Sequence, residues 1–188
     1  PYAQLKLALA LSDAGYSRRA YDTLDAASEL AGGDAAFFKM AAQEFAGREA
    51  WVAAAEMYLR VIQNQGGAVS DELKELYNEA LFKAAENAEF RIVLDMEELV
   101  RVDEPMALVA QARFELRANA NMEKARGLLN RAKGLKPEMP EAALFEAELF
   151  YKEGRRPEAK QILSGLRDNQ NIAQWIRTMA ESFLQQLP

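Results

Sequence analysis

The chain has 188 residues, half of them apolar and 28% charged, with a net charge of −6. That length supports one ordinary domain with a sizeable core, and the balance is globular rather than disordered. It contains no cysteine and no histidine. Disulfides, thiolate nucleophiles, zinc sites of the usual kind, a Ser-His-Asp triad and a histidine pH switch are therefore excluded. Lysine and arginine are interspersed with aspartate and glutamate almost everywhere along the sequence, so no basic face is expected to displace counterions and nucleic-acid binding is not expected. No run approaches the ~18 apolar residues needed to cross a bilayer.

In chain order, Leu5, Leu7, Ala8, Leu9 and Leu11 predict a helix over 2–13, ended by Gly15. Glycine tolerates the left-handed conformation of a helix end. Ser17 is placed to cap the next helix, whose Ala20, Tyr21, Leu24, Ala27 and Leu30 have the 3.6-residue period of a buried stripe. Gly32 and Gly33 end it, and Asp34 caps a third helix carrying Phe37, Phe38, Ala41, Ala42 and Phe45. Turn chemistry recurs at Gly47, Asn87, Asn119, Asn121 and Gly154, while Gly66-Gly67, Pro105, Pro137 and Pro140 fall between hairpins. A longer connection, 65–71, leads to a helix starting near Ser70. The helix expected over 89–102 contains Glu97 where other hairpins have a bulky residue, and local distortion is expected there. The last segment, 172–187, puts Ile172, Trp175, Ile176, Met179, Phe183 and Leu187 on one face, with Asn171 and Gln174 resembling a capping box. It reads as a helix that closes the end of a stack.

One spacing recurs. Gly15, Ala20, Leu24 and Ala27 are followed 34 positions later by Glu49, Ala54, Tyr58 and Val61. The same offset separates Ala120, Ala125, Leu129 and Ala132 from Gly154, Ala159, Leu163 and Leu166. A turn, a small residue, a bulky residue and a small residue at a fixed period indicate stacked helical hairpins. The small residues allow the two helices of a hairpin to approach, and the bulky ones fill the space between neighbours.

On these residues the chain resembles the tetratricopeptide repeat family, whose unit is a helix-turn-helix of the same length. The resemblance covers about 1–34, 35–68, 74–105, 106–139 and 140–171, followed by the closing helix 172–187, all as a single domain. It is best over Glu141–Arg167 and degenerate in the third hairpin; the family's early tryptophan is absent. It implies an all-α, right-handed superhelical solenoid of about 11 helices. It also implies a noncatalytic protein-interaction scaffold that binds a peptide or protein segment in the concave groove lined by first helices.

Projecting the helix faces gives the candidate groove: Lys39, Met40 and Gln43, then Asn78 and Phe82, then Gln111, Phe114 and Arg117, then Glu148, Tyr151 and Lys152. Phe82, Phe114 and Tyr151 would be the aromatic anchors, although aromatic stripes at helical spacing also read as core. The lysine-asparagine clamp with which some family members hold chaperone tails would fall at Leu5 and Leu9, so that ligand is disfavoured. Tyr2, Leu5 and Leu9 would form a poorly covered apolar end. This suggests either repeats upstream of Pro1, in a longer protein, or an end that meets a partner or a second copy; self-association into a homo-oligomer, through this end or the terminal helix, is the alternative function. A weaker alternative is a regulatory domain fused to an enzyme or membrane segment upstream. Glu97-Glu98 and Asp103-Glu104 read as solvated acids, Arg18-Arg19 and Arg155-Arg156 as exposed turn residues. No cofactor and no metal are implied. The setting is cytoplasmic by default, with any signal or anchor lying upstream.

Overall fold

The computed structural model describes residues 1–187. Among them are eleven helices and no strand, and helices consecutive in sequence pack as pairs. The chain divides into two compact units, and the division runs through the third hairpin.

The first unit, Pro1–Ala84 with Glu89–Asp95, contains α1 (Tyr2–Asp13), α2 (Ser17–Ala31), α3 (Ala35–Ala46), α4 (Trp51–Asn64), α5 (Asp71–Ala84) and the single turn α6 (Phe90–Val93). Its core is aromatic, with Phe37, Phe45, Tyr58, Tyr77, Phe82 and Phe90 fully buried. Asp34 caps α3, accepting from the Ala36 and Phe37 amides at 2.9 and 3.3 Å. The Ser70 hydroxyl accepts from the Leu73 amide at 3.2 Å at the start of α5. Ser17, by contrast, makes no cap: α2 begins on it, and Tyr16 takes the cap position without a side-chain bond. Of the three residues expected to be poorly covered, Tyr2 is 52% exposed, but Leu5 and Leu9 are only 3% and 8% exposed because α2 and α3 both pack on α1.

The second unit, Ala85–Ala88 and the chain from Met96 onward, holds α7 (Met96–Asn119), α8 (Met122–Leu135), α9 (Pro140–Lys152), α10 (Arg156–Asp168) and α11 (Gln174–Gln186). α7 changes direction at Asp103, whose backbone leaves the helical region (φ −154°, ψ 93°). The Asp103 carboxylate accepts from the Met106 amide at 3.1 Å and so starts the following stretch, with Pro105 in its first turn. The distortion expected near Glu97 therefore takes the form of two breaks. Leu94 is extended between α6 and α7, and Asp103 divides α7. Asn121 caps α8 through the Lys124 amide at 3.0 Å. The capping box at Asn171 and Gln174 does not form, since α11 starts at Gln174 behind Ala173 and no side chain caps it.

The recurring spacing has a backbone counterpart. All four of its turn positions are left-handed: Gly15 (φ 78°), Glu49 (58°), Ala120 (50°) and Gly154 (79°). Three of these turns close identically. The next residue's amide reaches back five places, Tyr16 to Leu11 (2.9 Å), Ala50 to Phe45 (3.0 Å) and Arg155 to Phe150 (2.8 Å). This is the Schellman closure of a helix end. At Ala120 the bond spans six places, Asn121 to Glu115 at 3.0 Å. Gly47, Asn87, Asn119 and Asn121 were the residues best suited to the left-handed cap, and none adopts it. Position in the repeat decides the conformation, and residue type yields. The residues of the packing signature are buried as expected: Ala54, Ala125 and Ala159 at 0%, Ala20 at 4%, with Leu24, Tyr58, Leu129 and Leu163 at 2% or less.

Candidate functional site

On α9, Glu148, Tyr151 and Lys152 stand three and four residues apart and so share one helix face. Arg113 and Arg117 share a face of α7 for the same reason. In the second unit the two faces meet through a charged network. Arg113, wholly withdrawn from solvent, donates from Nε to Glu148 Oε2 at 2.9 Å, and Arg117 donates from Nε to the other oxygen, Oε1. Arg113 also pairs with Glu86, and an Arg117 nitrogen lies 3.8 Å from that carboxylate. Two guanidiniums and two carboxylates thus neutralise one another. Removing such charges from water is costly, and only fork-shaped, multiply bonded geometry offsets the penalty. Both Glu148 oxygens are engaged, and its side chain is 5% exposed.

Beside this network lies a partly open cavity of about 140 Å³. Arg117, Glu148, Tyr151 and Lys152 form its polar side. Ala147, Leu163, Phe183 and Leu187 supply apolar wall, and Gln186 stands at the rim. Tyr151 is 38% exposed, and Lys152 makes no ion pair among the described residues.

The structure therefore gathers Arg117, Glu148, Tyr151 and Lys152 from the candidate groove. Phe114 and Phe82, read as possible anchors, are core residues at 7% and 0% exposure. Gln111 is half-buried on α7. In the first unit Lys39 and Gln43 are exposed on α3, Met40 is half-buried beside them, and Asn78 is half-buried on α5. The α11 contribution was missed. Phe183 and Leu187 were legible as part of the apolar face of the closing helix, but a face that seals a core can also wall a cavity. Gln186, outside that apolar face, lines the cavity as well.

Other charged groups bridge neighbouring turns and helices. Arg155 lies 3.9 Å from the Phe150 ring centroid and 3.0 Å from Glu158, which fixes the α9–α10 turn. Glu56, nearly buried on α4, accepts from Arg60 at 2.7 Å, and Arg60 also reaches Asp25 at 3.0 Å. Burial pushes the Glu56 carboxyl above its ordinary value against the opposing pull of Arg60, and Asp25 adds to the rise. Among the described residues no group of acids could hold a metal ion, and no helix is long and apolar enough to cross a membrane.

No family model, no curated protein and no solved structure matches the chain.

Proposed function

We propose that the chain is a noncatalytic scaffold of the tetratricopeptide type, a right-handed solenoid of hairpins that captures a peptide segment on its first-helix face. The left-handed turn recurring at Gly15, Glu49, Ala120 and Gly154 supports the repeat reading. The observation that carries the binding reading is the cavity beside Arg117, Glu148, Tyr151 and Lys152. Its size helps define the ligand. About 140 Å³ is close to the ~150 Å³ of an apolar cavity that holds benzene. It falls well below the roughly 300–1,000 Å³ of sites that enclose drug-sized molecules. Such a cavity takes one side chain of a longer ligand whose remainder lies outside, as in peptide recognition by apolar pockets with a few polar contacts.

The test is a peptide-display selection on the parent protein with Tyr151→Ala as the counter-target. Tyr151 is exposed enough for the change to leave the fold intact. Peptides that bind the parent and lose affinity for the variant support the reading. A selection yielding no peptide whose binding depends on Tyr151 overturns it.

A further inference from the structure

We propose that the captured segment is acidic, with an apolar residue seated in the cavity of the second unit and side-chain carboxylates flanking it. This rests on the peptide-binding reading above and specifies the ligand. The polar groups around the cavity are unequal. Among the described residues that line it, Glu148 is the one carboxylate, and both of its oxygens are already taken by the Arg113 and Arg117 guanidiniums. A cationic ligand group therefore finds no free acceptor of opposite charge. What remains are donors. Arg117 is 33% exposed at its side chain, with one nitrogen 3.8 Å from Glu86, and the Lys152 ammonium is exposed without an ion partner among the described residues. Among the described lining residues two cations against one anion leave one unit of positive charge, on a chain whose net charge is −6.

The Arg113–Glu148 pair gives this excess a fixed position. Together with the Arg117 bond it engages both Glu148 oxygens, so the carboxylate is not available to cancel Lys152, four places along α9. With it, Glu148 is held by α7, and Arg117 is anchored at the cavity edge as a preorganised donor. The walls of Leu163, Phe183 and Leu187 favour an apolar group between the carboxylates over a small hydrated anion.

The probe is a short peptide, acetylated and amidated, with a leucine-phenylalanine pair flanked on both sides by aspartates. It is compared with an asparagine copy by fluorescence anisotropy. The expected result is that the parent binds the aspartate peptide at least roughly tenfold more tightly than the copy. Lys152→Glu should abolish that preference with helicity unchanged by circular dichroism. Equal binding of both peptides, each weakened by Tyr151→Ala, overturns the acidic class and leaves the peptide reading standing. Absence of binding by the aspartate peptide, or binding unaffected by both Lys152→Glu and Tyr151→Ala, also overturns the proposal. The display selection then reports separately on the peptide reading. A neutral copy with a free terminal carboxylate that binds in place of the aspartate peptide would place recognition at a chain end, and this too overturns it.

Discussion

Arg113 Nε lies 2.9 Å from Glu148 Oε2, with the two side chains 0% and 5% exposed. Arg117 bonds the same carboxylate from a position one-third open to solvent. The pair thus offers an internal comparison of a buried charge with a rim charge. Arg113→Met leaves two carboxylates short of a partner and should cost roughly 3–5 kcal/mol. Arg117→Met should cost about 1 kcal/mol or less. Urea unfolding of the two variants measures the gap, and equal losses would mean that burial of Arg113 contributes nothing.

The left-handed turns predict opposite signs for opposite substitutions. A non-glycine residue in this region costs roughly 1–2 kcal/mol, partly offset by the ~0.4–1 kcal/mol of extra unfolded-state freedom that glycine brings. Ala120→Gly and Glu49→Gly should therefore stabilise by about 0.5–1 kcal/mol, and Gly15→Ala and Gly154→Ala should destabilise by a similar amount. A methyl group at Gly15 or Gly154 would meet no atom within 4 Å, so the loss is conformational and not steric. Thermal melts in which all four variants shift in the same direction would contradict this.

The fully buried alanines of the repeat are expected to resist enlargement. Ala125 and Ala159 have no exposed surface at the close approach of paired helices. Ala125→Leu or Ala159→Leu should overpack and cost roughly 1–3 kcal/mol. Melting temperatures equal to the parent's for both would show that the helix pairs are not spaced by these residues.

Glu56 predicts a pH dependence. Its carboxyl is raised, chiefly by burial, so the folded state holds that proton more tightly than the unfolded state does. Its contribution to stability is full at acid pH, below the ordinary carboxylate value, and is lost as the pH rises through the raised value. The stability of the parent relative to Glu56→Gln should fall between acid and neutral pH. A difference that stays flat or grows in calorimetric scans would refute the sign.

The sequence by itself determined the helices, their pairing and the spacing of the buried stripe. These follow from short-range constraints: a 3.6-residue period, small residues where helices touch, and a cap such as Asp34 that acts within three residues. It also marked the region around Glu97 as irregular. Which residue took the left-handed turn was decided by tertiary structure. Gly47 and Asn119 were available, yet Glu49 and Ala120 adopt it, because the packing of one helix against the next fixes the place of the turn. Tertiary structure likewise decided which aromatic residues are reachable. Phe82, Phe114 and Tyr151 share a helical phase on their own elements, but exposure depends on what lies opposite, and only Tyr151 of the three remains open to solvent. The Arg113–Glu148 bond joins residues 35 positions apart, and the cavity beside it needs α7, α9, α10 and α11 together. Neither is expressed in any local pattern, because each arises from where separate helices are brought into contact.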